Sequence, residues 1–331
     1  QNQAIRVGRG ELKLPVLLAP MAGITDLPFR NLVASFGAGL VVSEMVASQE
    51  MVQARPSARK RADLGLDNDA SAVQIAGRDT YWMAECARLC ADQGARIIDI
   101  NMGCPAKKVT SGLSGSALMK EPELALSLIE AVVSAVDVPV TLKTRLGWND
   151  DCLNAASLAK QAVDAGVQMV TIHGRTRCQF YKGQANWQAI GDVVSAVDVP
   201  VIANGDIVSI ESARQARHAS GAAGLMVGRG AQGQPWLLQQ IAAAEGHGAP
   251  IVPPEGAALA DLICTHYDAM LTFYGVDLGL RVARKHLGWY LDRLDGAAGL
   301  KSAVFRANTP QSVLRHLRDI ANLAAKQACA A

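Results

Sequence analysis

Eight short apolar runs punctuate the first 230 residues, at 16–19, 40–42, 72–75, 96–100, 138–142, 167–172, 200–203 and 223–227. They scarcely alternate with polar residues, which is the pattern of strands covered on both faces. Between most of them the apolar positions take a helical spacing, as in Trp82, Cys86, Leu89 and Cys90 at i, i+4, i+7 and i+8. Gly37, Gly94, Gly166 and Gly221 each follow such a pattern and precede a strand, where a left-handed residue ends a helix. The nonapeptide Val-Val-Ser-Ala-Val-Asp-Val-Pro-Val occurs at 132–140 and again 61 residues later at 193–201. Each copy ends a helix and begins a strand, and the spacing fits two βαβ units. Eight alternating units predict an α/β fold, a (β/α)8 TIM barrel. A doubly wound sheet is the alternative, because periodicity alone does not show closure. After about residue 240 the rhythm stops. The Pro/Gly-rich stretch 246–256 reads as a linker. Beyond it, 257–274, 280–294 and 310–327 read as helices. The expected organisation is therefore a barrel domain over 1–245, the linker 246–256, and a smaller C-terminal helical domain over 257–331.

Composition narrows the setting. No apolar run reaches the ~18 residues that would mark a membrane span. The first ten residues are polar, lack an apolar signal core, and open on Gln1 rather than Met, which reads as a trimmed start. A cytoplasmic protein is expected, with no membrane partner. Seven Cys without a CxxC pair argue against a disulfide framework and for a reducing compartment. Cys86 and Cys90 read as buried thiols on a helix core face, and no metal site is expected. The formal net charge is +2, but residues 275–331 hold nine Lys/Arg against four Asp/Glu, a local +5 beside −3 for the rest. A near-neutral body with a basic C-terminal section suits an anionic partner.

In a barrel, chemistry sits at the C-terminal ends of the strands. Those ends carry Pro20-Met21-Ala22-Gly23 after the first strand, Gln74 on the third, and Asn101-Met102-Gly103-Cys104-Pro105 after the fourth. Next come Lys143-Thr144-Arg145, His173-Gly174-Arg175, Asn204-Gly205-Asp206 and Gly228-Arg229-Gly230 after strands five to eight. Singly, Lys143 reads as a solvated strand end, His173 as a core histidine and Asn204-Gly205-Asp206 as a turn. Together they converge on one rim. Gly-rich loops after the last two strands make the common phosphate site of barrels, with Arg229 adding a fixed charge. A phosphate-bearing cofactor is expected there. Lys143 and His173 would sit where a cation meets its ring.

Longer motifs then resemble a known family. Leu-Ala-Pro-Met-Ala-Gly-Ile-Thr-Asp at 18–26 is similar to the opening of the tRNA-dihydrouridine synthases. Ile98-Asp99-Ile100-Asn101-Met102-Gly103-Cys104-Pro105, with Lys108-Val109 and Gly115-Ser116-Ala117, resembles that family's defining stretch. His173-Gly174-Arg175-Thr176-Arg177 and Asn204-Gly205-Asp206 match in order and spacing, and the likeness runs from about 13 to 320. Residues 283–291 are similar to the helical domain of the bacterial B-type branch. The resemblance implies FMN as cofactor, NADPH as reductant, and Cys104 as the catalytic residue. It implies that Pro20, Met21 and Ala22 lie against the flavin ring and that Gln74 and Lys143 bond its polar edge. His173, Asn204, Gly205, Asp206, Gly228 and Arg229 would hold the ribityl chain and phosphate.

The reaction implied is reduction of a D-loop uridine in tRNA to 5,6-dihydrouridine, with hydride passing from N5 of reduced FMN to C6. Cys104 would protonate C5, since an ordinary thiol pKa of about 8.5 keeps the group protonated near neutrality. The target base must be extruded from folded RNA. Asn101, Lys107, Arg145, Arg175, Arg177, Arg281, Arg284, Lys285 and Arg315 are the expected RNA contacts. No obligate protein partner is called for. A dehydrogenase of free pyrimidines, of the dihydropyrimidine or dihydroorotate type, is the alternative enzyme. An RNA-binding protein with a vestigial barrel is the non-enzymatic one.

Overall fold

The computed structural model describes residues 4–64 and 71–323. Two expectations reach beyond them: the polar start at 1–3 and the end of the last helix, placed by pattern at 327, lie outside the described residues.

The apolar runs become strands β3 (Val16–Leu18), β4 (Leu40–Val42), β6 (Ser71–Ala76), β7 (Ile98–Met102), β8 (Val140–Arg145), β9 (Val170–His173), β10 (Val201–Asn204) and β11 (Gly224–Val227). All pair in parallel. The sheet closes through β3–β11 on one side and β4–β6 on the other, giving an eight-stranded TIM barrel. A closed barrel replaces the doubly wound alternative. Strand starts differ from the apolar runs where proline intervenes. β8 begins at Val140 after Pro139, and β10 at Val201 after Pro200, because proline has no N–H for the ladder. Gly37, Gly94, Gly166 and Gly221 all have positive φ, as their place after a helix demands.

Helices cover the outside: α1 (Leu27–Phe36), α2 (Ser48–Val52), α3 (Pro56–Ala62), α4 (Thr80–Asp92), α5 (Lys107–Thr110), α6 (Pro122–Val133), α7 (Ala155–Asp164), α8 (Ile190–Ala196), α9 (Ile210–Ser220) and α10 (Leu237–Ala244). Cys86 and Cys90 are buried on α4, as their spacing requires. Three features escaped the sequence pattern. They are an antiparallel pair, β1 (Ile5–Val7) with β2 (Gly10–Leu12), and the two-residue β5 (Val46–Ala47). Strands this short show no period. Ile5 and Val7 join a core with Leu17, Leu40, Ala72, Ile97, Met169, Ile202 and Met226. This core runs from Ile97 and Met169, which precede their strands, to Val42 and Ala19 at the other ends of β4 and β3.

The chain divides into two compact units, 1–230 with 237–249, and 231–236 with 250–331. The second holds α11 (Gly256–Tyr274), α12 (Val276–Leu291), α13 (Ala298–Arg306) and α14 (Pro310–Arg318). The third of these was missed, a short helix inside a Gly/Ala-rich stretch. No described helix is long and apolar enough to cross a membrane.

In this unit α11 buries Leu259, Ile263, His266, Tyr267 and Met270 on one face. The His266 Nδ1 lies 3.0 Å from the Tyr290 hydroxyl of α12, and the His266 and His286 rings meet edge to face at 4.9 Å. Burial pushes His266 down to about 3 and His286 well below the usual histidine range. An unfolded chain takes up a proton at each near pH 6.5, whereas the folded unit stays neutral. The stability these groups supply is thus complete above pH 6.5 and is lost as pH falls toward their folded values. The expected slope is up to ~1.4 kcal/mol per pH unit for each histidine. Denaturant unfolding at pH 7 and pH 5 checks this; equal midpoints would contradict it.

Candidate active site

The strand register stacks polar residues in layers at the C-terminal rim. Gln74, Asp99 and Thr141 are partners across β6, β7 and β8, and Asn101, Lys143 and Thr171 across β7, β8 and β9. Arg145, His173 and Asn204 follow across β8, β9 and β10. Alternate residues of one strand share a face. Hence Asp99 and Asn101, or Lys143 and Arg145, stand in successive layers.

Cys104 follows β7, is half-buried, and sits in a braced loop. Its N–H and that of Gly103 donate to Asn101 Oδ1 at 3.0 and 3.2 Å. Its carbonyl accepts from Ser116 N at 3.1 Å and Ser116 Oγ at 2.8 Å. The Gly103 carbonyl accepts from Arg145 Nε at 2.7 Å. Gly115 carries φ +61°, and a Cβ there would lie 2.8 Å from the Cys104 carbonyl. Gly115→Ala is therefore expected to shift the Cys104 loop and destabilise the protein by about 1–3 kcal/mol. Thermal unfolding checks this, and an unchanged midpoint would contradict it.

Charge in the site is set by burial. Lys143 is 9% exposed, and its amine hydrogen-bonds to no described residue. Burial, aided by the Arg145 charge, lowers it to about 8, against the pull of Asp99 and Cys104. His173 is held well below its usual range by burial and by Lys143, Arg145, Arg175 and Arg229. It is neutral near pH 7, which leaves Lys143 as the cation of the pair. Its Nε2 lies 3.3 Å from Arg175 NH1. A guanidinium only donates, so Nε2 accepts and the proton rests on Nδ1.

Arg145 and Arg175 also need correction as RNA contacts. Both are 1% exposed. Besides Gly103, Arg145 donates to the Thr176 and Phe180 carbonyls at 3.0 and 2.8 Å. Arg175 forks onto Asp206 at 2.9 and 2.6 Å and also reaches the Lys182 and Gly183 carbonyls. These donors are spent on loops, so neither side chain is open to phosphate. Burial works to raise Asp206, but Arg175, the Ala185 N–H and Arg229 together hold it below the usual range. Asp206 is thereby a carboxylate that anchors Arg175, and it takes φ +53° to do so.

The remaining expected residues fall as follows. Pro20 and Met21 are half-buried after β3 and Ala22 is exposed. Asn204 donates to the Met226 carbonyl at 2.8 Å, tying β10 to β11. Gly205 follows it, and Gly228 and Arg229 follow β11, with Arg229 NH2 3.9 Å from Asp206. The close approach of the two last loops requires glycine at 230, where a Cβ would sit 2.2 Å from the Ile207 carbonyl. Gly228 has room: a Cβ there meets only Ala19 and Met21, both at 3.7 Å. Lys107 is exposed on α5 and Arg177 half-buried after β9. Arg281 and Lys285 are exposed and Arg284 half-buried on α12, and Arg315 is exposed on α14. No group of three or more His, Cys, Asp or Glu among the described residues is arranged to hold a metal.

The rim also holds residues that the sequence pattern did not single out. Glu44 follows β4, is 8% exposed, and accepts from the Gly23 N–H through Oε1. Asp99 accepts from Thr141 and Gln74. Trp148, Phe180 and Tyr181 lie among cations: Arg177 is 4.7 Å from the Trp148 ring and 4.6 Å from Phe180. Arg145 and Arg229 lie 5.4 and 5.0 Å from the Tyr181 ring. Glu44 had a signal, its place just after the second strand. Asp99 had one too, two positions before Asn101.

Comparison with known proteins bears on this site. The family model described as dihydrouridine synthase matches residues 17–327. A protein of Rhodobacter capsulatus named probable tRNA-dihydrouridine synthase is 61% identical over 305 residues, 92% of this chain and 94% of its own. The protein of Xanthomonas campestris named tRNA-dihydrouridine synthase B is 44% identical over 95% of both chains. Among solved structures, a 2-naphthoyl-CoA reductase complex has a TM-score of 0.57 at 13% identity, over 74% of this chain and 52% of that one. That likeness concerns the fold alone. With a family match spanning nearly the whole barrel and helical region, and relatives aligned over nine-tenths of their length, this chain belongs to the dihydrouridine synthase family.

Proposed function

We propose that this protein is an FMN-dependent oxidoreductase that uses NADPH to reduce a D-loop uridine of tRNA to 5,6-dihydrouridine. Family membership supports the reaction class, and the braced Cys104 beside Lys143 is the observation that carries the residue assignment. The rim fits the cofactor. The amine of the largely buried Lys143, which bonds to no described residue, a histidine Nδ1–H, and glycine loops with room at Gly228 are what a polar ring edge and a phosphate call for.

When bound, FMN would supply the hydride that adds to C6 of the uracil. Pro20, Met21 and Ala22 would line its ring and Lys143 would meet its polar edge, with Gln74 buried behind that edge on Asp99 and Asn101. His173, Asn204, Gly205, Gly228 and Arg229 would hold its ribityl chain and phosphate, and Asp206 would serve by fixing Arg175. Cys104 gives its thiol proton to C5, and the protonated Lys143 offsets negative charge developing nearby. Asn101 fixes the loop on which Cys104 sits. The exposed Tyr181 ring offers an apolar face to an extruded base.

Phosphate contacts are assigned to Lys107, Arg177, Arg281, Arg284, Lys285 and Arg315, with residues 1–245 as the catalytic domain and 257–331 as the RNA-binding one. Neutralising Arg284 and Lys285 together is expected to weaken tRNA binding and lower its salt slope by about two. Unchanged binding across a salt series would contradict that role. The function itself is tested by the isolated protein's colour and by tRNA-driven reoxidation of its reduced flavin. A colourless protein, or faster reoxidation by free uracil or orotate than by tRNA, would overturn the reading.

A further inference from the structure

A line of hydrogen bonds runs from the barrel interior to the Cys104 loop. Thr141 Oγ1 donates to Asp99 Oδ1 at 2.6 Å, and Gln74 Nε2 donates to Asp99 Oδ2 at 2.7 Å. Asn101 Nδ2 donates to Gln74 Oε1 at 2.7 Å. Asn101 Oδ1 then accepts the N–H groups of Gly103 and Cys104. Every side chain in the line is buried, with Gln74 and Thr141 at 0% and 1% exposed.

The two ends of this line dictate its polarity. Burial pushes the Asp99 carboxyl up, against its hydrogen bonds to Thr141 and Gln74 and the Lys143 charge, and in either protonation state its Oδ2 accepts, so Gln74 turns its NH2 toward Asp99. Backbone N–H groups only donate, so Asn101 must turn its oxygen toward Gly103 and Cys104. The two amides between satisfy both demands in one orientation. Turning either amide over would set like groups face to face in a buried place, where an unmet donor or acceptor is costly. Asp99 is 4% exposed, its described hydrogen bonds are to Thr141 and Gln74, and it sits one layer below Asn101 and Lys143.

We propose that Asp99 is a positioning residue, which orients the Gln74 and Asn101 amides and thereby holds the Cys104 backbone where its thiol meets the base. The catalytic half of this proposal rests on the uridine-reducing reading above; the structural half does not. Asn at 99 preserves the polarity, because its oxygen can face Gln74 while its NH2 donates to the Thr141 hydroxyl, which accepts as readily as it donates. Leu at 99 removes the acceptor.

The test measures residue-resolved amide hydrogen exchange in the full-length protein as isolated, alongside steady-state turnover of unmodified tRNA. Asp99→Leu is expected to speed exchange at the Gly103 and Cys104 N–H groups by about tenfold or more, with the β9–β10 ladder unchanged. It should lower kcat about tenfold while KM for tRNA stays within about threefold. Asp99→Asn should stay within about threefold of the parent in exchange and kcat. Asp99→Ala carries the same expectation as Leu should the larger side chain prevent folding. Parental protection at Gly103 and Cys104 in both apolar variants would overturn the proposal. So would Asp99→Asn exchanging as fast as Asp99→Leu, since charge rather than bond polarity would then be at work. If exchange follows the expected order but the parent protein does not reduce tRNA, the positioning role stands and the uridine reading fails.

Discussion

Replacing Cys104 by alanine is expected to slow single-turnover reduction of tRNA by prereduced enzyme by about 10²–10⁴-fold, the usual contribution of a positioned general acid. The loop should survive the change. Its braces are backbone groups: the Cys104 N–H on Asn101, the Cys104 carbonyl on Ser116, and the Gly103 carbonyl on Arg145. None of them involves the thiol. Binding of tRNA and of cofactor should therefore match the parent, and the loss should fall on the chemical step alone. Rapid-quench measurement with both components saturating isolates that step. A rate within threefold of the parent would remove Cys104 from the reaction.

The second large effect is expected at Lys143. The residue is 9% exposed and its amine makes no hydrogen bond to a described residue, so the amine is left to water or to a group that enters the site. A hydrogen bond from a charged donor contributes about 1.5–3 kcal/mol. Lys143→Met is thus expected to weaken FMN affinity by about 10–100-fold, as read by flavin fluorescence on titration. The same residue sets a pH limit. Burial lowers its pKa to about 8, so its charge is largely present at pH 7 and is lost as pH rises through 8. Activity that depends on that charge should fall on the alkaline side, and Lys143→Arg should flatten the fall. A pH profile level from 7 to 9 in the parent protein would contradict the assignment.

How much of this was legible beforehand follows from what each residue leaves in the pattern. Strands covered on both faces leave unbroken apolar runs, so all eight barrel strands could be read, whereas β1, β2 and β5 are too short to leave any. The rim residues Gln74, Cys104, Lys143 and His173 could be found because each interrupts or directly follows an apolar run. Arg145 and Arg175 were equally visible but misassigned as RNA contacts. Their type and place were plain, but not the five loop carbonyls and the Asp206 carboxylate that consume their donors. That His173 stays neutral is not legible in a one-dimensional pattern, which shows neither its burial nor the four positive groups around it. Asp99 stands in the family-like stretch, but no role for it is legible there, since its bonds go to partners 25 residues before it and 42 residues after it.

Incubating unmodified tRNA with the isolated protein and NADPH, then measuring its nucleosides by mass spectrometry, tests the central claim most directly. A D-loop uridine is expected to gain two hydrogens with the parent protein and to stay unchanged with Cys104→Ala. A tRNA left unmodified by the parent, while free uracil or orotate is reduced under the same conditions, would contradict it.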